Sequence, residues 1–161
     1  EMRSKSRIQS GIVTVSSLLY LFPVYKYYAI QELLWNYIGA HLFILITLFS
    51  VMSDGSLLEF MYQEKVNQYL LNKLILLDKL FACTGFFYTL FPLLLITKNL
   101  PILLLNILCV LFPLYIARSN IGNDTNNWVL FQTVWHINSS VFVGMFGPLK
   151  APIHLDFIEL Y

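Results

Sequence analysis

The sequence predicts an all-α integral membrane protein, a bundle of about five transmembrane helices plus one interfacial helix, and three observations carry that expectation. Of 161 residues, 58% are hydrophobic and only 12% are charged, against about 25% charged in a soluble domain. The apolar residues fall into long uncharged runs, each close to the roughly 20 residues that cross a bilayer as a helix. The polar stretches between them are short and hold Asn, Gly, Pro and Lys, the residues of turns and loops. No repeat and no second domain interrupts this pattern. The net charge is +1, and with no basic patch to neutralise phosphates, nucleic acid is excluded as a partner. Membrane lipids and other membrane protein subunits are the partners this composition implies.

The first span is expected over about Ile8 to Tyr28, kinked at Pro23 and ending in the Tyr-rich interfacial stretch "YKYY". Ahead of it, "MRSKSRIQS" is basic and free of acid. That composition suits a basic anchor on the non-translocated side, or the remnant of an organellar targeting segment. The second span covers Leu33 to Ser53 without a formal charge and is expected to stop at "SDGS", a turn signal. From Leu57 to Lys73 the charges of Glu59, Glu64, Lys65 and Lys73 alternate with Leu, Phe, Met and Tyr. Leu57, Phe60, Met61, Leu70, Leu71 and Leu74 recur as on a helix lying in the interface. The third span runs from Leu74 to Thr97 with Pro92 inside it, and "KNLP" forms the turn to the fourth, Ile102 to Ala117. "RSNIGNDTNN" is the most polar stretch and reads as a loop. The fifth span, Trp128 to Phe146, closes at "GPLKAP", and a short tail carrying His154 follows. Arg3, Lys5 and Arg7 favour an inside N-terminus. Five spans then put the C-terminus outside and leave the "NDT" sequon at Asn123 inside and unused. Cys83 and Cys109 both lie in apolar runs and read as small core residues rather than a disulfide.

An ionisable residue inside lipid must find a partner and marks a functional site by default. The candidates are His41, Asp54, Asp78 and His136, with Ser50, Asn106, Gln132 and Asn138 as neutral company. Ser50 and Asp54 are four residues apart near the end of the second span, as are Gln132 and His136 on the fifth, and residues so spaced share a helix face. Asp78 opens the third span. Three helices can thus aim polar groups at one site, where a carboxylate and an imidazole hold a metal or move a proton. Plainer readings stand beside this one. Asp54 can be a helix-end residue wet by headgroups, and Asp78 can pair with a nearby lysine. His136 can hydrogen-bond a backbone carbonyl. His41, with only Tyr37 and Leu45 at helical spacing, reads as packing, and Asn106 and Asn138 read as interhelical hydrogen-bond links.

The order of these windows, Ser50-x-x-x-Asp54, "LLDKLFA" and "FQTVWHINSS", resembles the CREST superfamily of alkaline ceramidases, adiponectin-receptor-type proteins and myomaker-like membrane proteins. The resemblance implies a seven-helix bundle around zinc. Its pattern is Ser-x-x-x-His on the second helix, an Asp on the third and His-x-x-x-His on the last, often with Trp before the second His. On that pattern Ser50, Asp78, Trp135 and His136 match, while Asp54 and Gln132 stand where histidines would. The resemblance implies a metal set of His136, Asp54 and Gln132, with Asp78 to deprotonate a water and Ser50 to bind it, if the site is active. Gln132 is a poor zinc ligand, because a neutral amide is less charged and less soft than imidazole. Between Asp78 and His136 there is room for one helix where the family has three.

The expected function is therefore a non-catalytic structural or accessory subunit of a membrane complex, with an eroded zinc site and no cofactor. Short connections and an aromatic exterior fit that role, and the basic start leans towards an organelle such as the mitochondrion and its inner membrane. The alternatives are a zinc-dependent lipid amide hydrolase resembling the ceramidases, and a transporter component with Asp54, Asp78 and His136 as a proton path.

Overall fold

The computed structural model describes residues 2–30, 33–61, 67–96, 100–121 and 124–149. Among the described residues there are six helices and no strand: α1 (Met2–Leu18), α2 (Leu21–Ala29), α3 (Leu34–Met61), α4 (Gln68–Ile96), α5 (Leu100–Ser119) and α6 (Thr125–Phe146). The four from α3 to α6 are long and apolar enough to cross a membrane, so the chain is an integral membrane protein built as a helical bundle. The expected first span is present as two shorter helices, α1 and α2.

Proline chemistry accounts for that division. The ring of Pro23 clashes with a helical carbonyl four residues back, which is that of Leu19. The chain turns there instead. Leu19 N–H donates to Ser16 O at 3.1 Å, Tyr20 N–H to Ser17 O at 3.2 Å, and Leu19 O accepts from Phe22 N–H at 2.9 Å. Pro23 thus sits in the first turn of α2, where its missing N–H leaves nothing unpaired. It marks a break between two helices, not a kink within one.

Other boundaries also differ from the sequence reading. The turn expected at "SDGS" is absent, and α3 runs through Asp54 and Gly55. Asp54 is taken up by partners on other helices, so tertiary contacts outweigh the local turn signal. The interfacial helix expected over Leu57 to Lys73 is not a separate element among the described residues. Residues 57–61 end α3, residues 68–73 begin α4, and 62–66 lie outside the described residues. Asn67 sets the start of α4 six residues before Leu74, its side-chain oxygen accepting from Tyr69 N–H at 3.1 Å and Leu70 N–H at 3.2 Å. Asp124 caps α6 in the same way, on Asn126 N–H at 3.0 Å and Asn127 N–H at 3.1 Å. Asn123 and His154 lie outside the described residues.

The helices form an open arc. α3 packs on α4, α1 and α2 pack on both α3 and α6, and α5 packs on α6. The arc therefore runs α4, α3, the α1–α2 pair, α6, α5. Its two ends, α4 and α5, scarcely touch, although only three residues separate them in sequence. Two apolar clusters fill the concave side. One gathers Tyr20, Tyr27, Phe43, Ile46, Trp135 and Phe142. The other gathers Val13, Leu71, Ala117, Trp128 and Val129 at the end of the bundle where α4 and α6 begin and α5 stops. Cys83 and Cys109 are free and exposed rather than in this core, because their turns face the outside of the arc or its gap. His41 is also outward. Its ring lies against Tyr37 at 4.3 Å and Tyr28 at 6.0 Å, and its Nδ1 is 2.8 Å from Tyr37 O.

A second proline stitches α5 to α6. Pro113 has no N–H to give to Cys109 O, four residues back. Asn138 of α6 reaches across and donates its Nδ2 hydrogen to that carbonyl at 2.9 Å. Asn138 is thus the interhelical link expected of it. Asn106 is not: it bonds Ile102 O on its own helix at 2.9 Å. Asn138→Leu is expected to lower stability by about 1 kcal/mol, the usual worth of such a bond in lipid. In a Pro113→Ala background, where the restored backbone N–H can serve Cys109 O, the same change should matter much less. A double-mutant cycle measured by SDS titration of the detergent-solubilised protein checks this, and equal losses in both backgrounds would reject the pairing.

Candidate functional site

A polar layer crosses the bundle between the two apolar clusters. α1 contributes Ser16 and Ser17, α3 contributes Ser50, Ser53 and Asp54, α4 contributes Asp78, and α6 contributes Gln132 and His136. All are buried, and Asp54, Gln132 and His136 are each 0% exposed. Spacing explains why they converge. The four-residue intervals Ser50–Asp54 and Gln132–His136 put each pair on one helix face, and the break after Leu18 turns the Ser16–Ser17 end of α1 towards both faces.

The centre of the layer is the contact between Asp54 Oδ2 and His136 Nε2, at 3.2 Å. It bridges α3 and α6, whose backbones are otherwise held apart by α1 and α2. Gln132 adds a second bridge: its Nε2 donates to Asp54 Oδ1 at 3.2 Å and Oδ2 at 3.1 Å, and lies 3.3 Å from His136 Nε2. Ser50 Oγ is 3.3 Å from His136 Nε2 and donates to Asp54 Oδ2 at 3.5 Å. On the other side of the ring, Ser16 Oγ is 2.8 Å from His136 Nδ1, and Ser17 Oγ is 3.4 Å from it. Ser16 donates its own proton to Val13 O at 2.7 Å. Its oxygen is then free to accept a hydrogen bond from Nδ1, while Nε2 faces the Asp54 carboxylate. Ser17 reaches Asp54 Oδ2 as well, at 3.5 Å. Tyr20 and Trp135 close the site on the side of the larger apolar cluster, with Tyr20 packed edge-on to His136 at 5.5 Å and Trp135 lying at 5.0 Å. The Tyr20 hydroxyl is tied to Ser139 at 2.7 Å.

The structure therefore brings together Asp54, His136, Gln132 and Ser50, the four residues that sequence spacing had grouped. Asp54 is not a helix-end residue wet by headgroups. Asp78 lies in the same layer but turns towards α5. Ser53 attends its carboxylate, and its ion-pair partner is Arg118, Nη2 to Oδ2 at 3.9 Å, rather than a nearby lysine. The sequence reading did not single out Ser16, Ser17, Tyr20, Ser139 or Arg118. Ser139 had a usable signal, being three residues from His136 and so on its face. The Ser16–Ser17 pair was visible as adjacent hydroxyls in an apolar run.

The donor set fits zinc poorly. One imidazole and one carboxylate are present, but the amide of Gln132 turns its NH₂ towards them and leaves Oε1 buried without a partner. A cation at the centre would meet a hydrogen-bond donor where a lone pair is required. Among the described residues, no group of three or more His, Cys, Asp or Glu side chains is placed to hold a metal. Comparison of the chain with family models, curated proteins and solved structures gives no match.

Taken together, the arrangement is a hydrogen-bonded clamp on α1, α3 and α6. Removing one member of a buried pair strands the other, at about 3–5 kcal/mol. Asp54→Leu and His136→Leu are each expected to destabilise on that scale, while the double substitution should be milder than the sum of the two. SDS titration of the four proteins tests the clamp, and additive losses would show that the two side chains act independently.

Proposed function

We propose that this chain is a non-catalytic structural or accessory subunit of a membrane protein complex. On this reading it is a shortened bundle of the CREST type in which the remains of a metal site now hold helices together. The observation that carries the proposal is the closure of the polar layer. Asp54, Gln132 and His136 have no exposed surface, the Asp54 carboxylate, the Gln132 Nε2 and the His136 Nε2 are engaged with one another, and the cavities among the described residues are lined by other residues. Hydrolysis needs a substrate bond and an activated water in reach of these groups, and Tyr20 and Trp135 stand between them and the apolar interior.

The partners would be membrane proteins as well as lipid. α5 supports this: it packs mainly on α6, and its other faces carry exposed Leu104, Leu105, Leu108, Phe112 and Tyr115. The basic, acid-free stretch from Met2 to Ser10 leads us to place the protein in an organellar membrane such as the mitochondrial inner membrane.

Two measurements test the proposal. Purified protein, supplied with zinc and assayed against ceramide-like amides, is expected to show neither stoichiometric metal nor amide cleavage. About one zinc per chain, lost on His136→Ala and accompanied by turnover, would overturn it. Conversely, the combined substitutions Asp54→His and Gln132→His are expected to create a three-imidazole site and raise zinc content by elemental analysis to about one per chain.

A further inference from the structure

The gap between α4 and α5 is a built cleft, distinct from the polar clamp. Its inner chamber has a volume of about 280 Å³ and is lined almost wholly by apolar side chains, among them Phe43, Phe86, Val110, Leu111 and Phe142. A second chamber of about 470 Å³ adjoins it and contains Asp78, Lys79 and Arg118. The two share Ala82, Cys83, Leu114 and Trp135 as walls, so they form one channel. Along α4 the lining passes from Asp78 and Lys79 through Ala82 and Cys83 to Phe86 and Phe87. Along α5 it passes from Arg118 through Leu114 to Leu111 and Val110. The channel is thus charged at one end and hydrocarbon-like along the rest, its full length from Asp78 to Phe87 being about 13 Å at a helical rise of about 1.5 Å per residue. Arg118 lies in the last turn of α5.

Size decides what fits. A transmembrane helix is about 10–12 Å across with its side chains, too wide for the inner chamber. An apolar cavity of about 150 Å³ holds benzene, so about 280 Å³ holds roughly twice as many carbons, a single acyl chain. Polarity decides the head. Lys79 is exposed and offers positive charge to an anion, and the half-buried Arg118, which ion-pairs with Asp78 Oδ2 at 3.9 Å, has further guanidinium N–H groups to add. Asp78 is 2% exposed, and its Oδ1 has no hydrogen-bond partner while the residue lines the mouth. A buried acceptor of this kind calls for a hydroxyl or other donor. One chain, one phosphate and one free hydroxyl together describe a lysophospholipid.

We infer that the α4–α5 cleft binds a single-chain anionic lysophospholipid, its acyl chain between Phe86 and Leu111, its phosphate at Lys79 and Arg118, and its hydroxyl on Asp78 Oδ1. This inference stands apart from the non-catalytic reading and survives or fails without it. The experiment is native mass spectrometry of the full chain in maltoside detergent, titrated with 1-myristoyl lysophosphatidate. Monomyristoylglycerol (no phosphate), myristate (no hydroxyl) and dimyristoyl phosphatidate (a second chain) serve as competitors. One lysophosphatidate per chain is expected, at a concentration at least tenfold below that needed for each competitor. Lys79→Gln, on an exposed position that does not endanger folding, should weaken it severalfold, and Ala82→Phe, which fills the channel, should abolish it with helicity unchanged by circular dichroism. Equal binding of all four lipids, tighter binding of the two-chain lipid, or full binding by a folded Ala82→Phe protein would overturn the inference.

Discussion

In lipid a polar side chain has no water to fall back on, so each one that turns inward must be met by another part of the protein. The Asp54–His136 contact is where that constraint acts most strongly here. It joins α3 to α6 across the middle of the arc, and everything else in the polar layer is arranged around it. Ser50 and Gln132 approach from the same helices one turn away, and Ser16 and Ser17 come from α1. The contact also explains why α1 stays docked although it is short for a membrane helix. Its two serines supply the contacts to Nδ1 of His136, and their leaving the layer would strand that nitrogen.

Proline does complementary work. Pro23 ends α1 and restarts the chain as α2, so that Ser16 and Ser17 face the clamp while Tyr20 and Tyr27 face the larger apolar cluster. Pro113 frees a carbonyl on α5 that Asn138 of α6 then takes. At Pro113 a missing backbone hydrogen bond thus becomes a tertiary one, while at Pro23 a local turn takes it up. The outcome is a set of firm pairings, α3 with α4 and α5 with α6, bridged by α1 and α2. Nothing comparable joins α4 to α5 along their length. The Asp78–Arg118 ion pair spans them at one end and the chain itself connects them at the other, which is why a cleft is left between. The same polar layer therefore has a closed middle, where Asp54, Gln132 and His136 are fully buried beside Tyr20 and Trp135, and an open edge, where Asp78 keeps one oxygen unpaired.

Much of this was legible in the sequence. The helical class and the four long spans follow from apolar runs of bilayer length, since a bilayer admits little else. The Ser50–Asp54 and Gln132–His136 intervals grouped the centre of the clamp correctly, because four-residue spacing is a property of any helix. Other signals misled for identifiable reasons. "SDGS" carries strong turn chemistry, yet Asp54 has partners on two other helices and the helix continues through it. The alternating charges after Leu57 suggested an interfacial element, whereas among the described residues the flanking turns extend α3 and α4. Asn106 and Asn138 look alike in sequence, and only the position of Pro113 relative to a neighbouring helix separates a self-bonded side chain from a stitch.

By itself, then, the sequence determined the solvent this protein lives in, the helical class and which polar residues share a helical face, all of which depend on composition and on the fixed period of one helix, while it suggested five spans where four long helices form among the described residues. The tertiary structure alone decided which faces meet. That Asp54 finds His136 while Asp78 finds Arg118, that Ser16 caps the far side of the imidazole, and that α4 and α5 part to leave a channel are outcomes of packing between segments as many as 120 residues apart. No local period encodes them, because they are set by the joint satisfaction of buried polar groups and the volumes of the side chains around them.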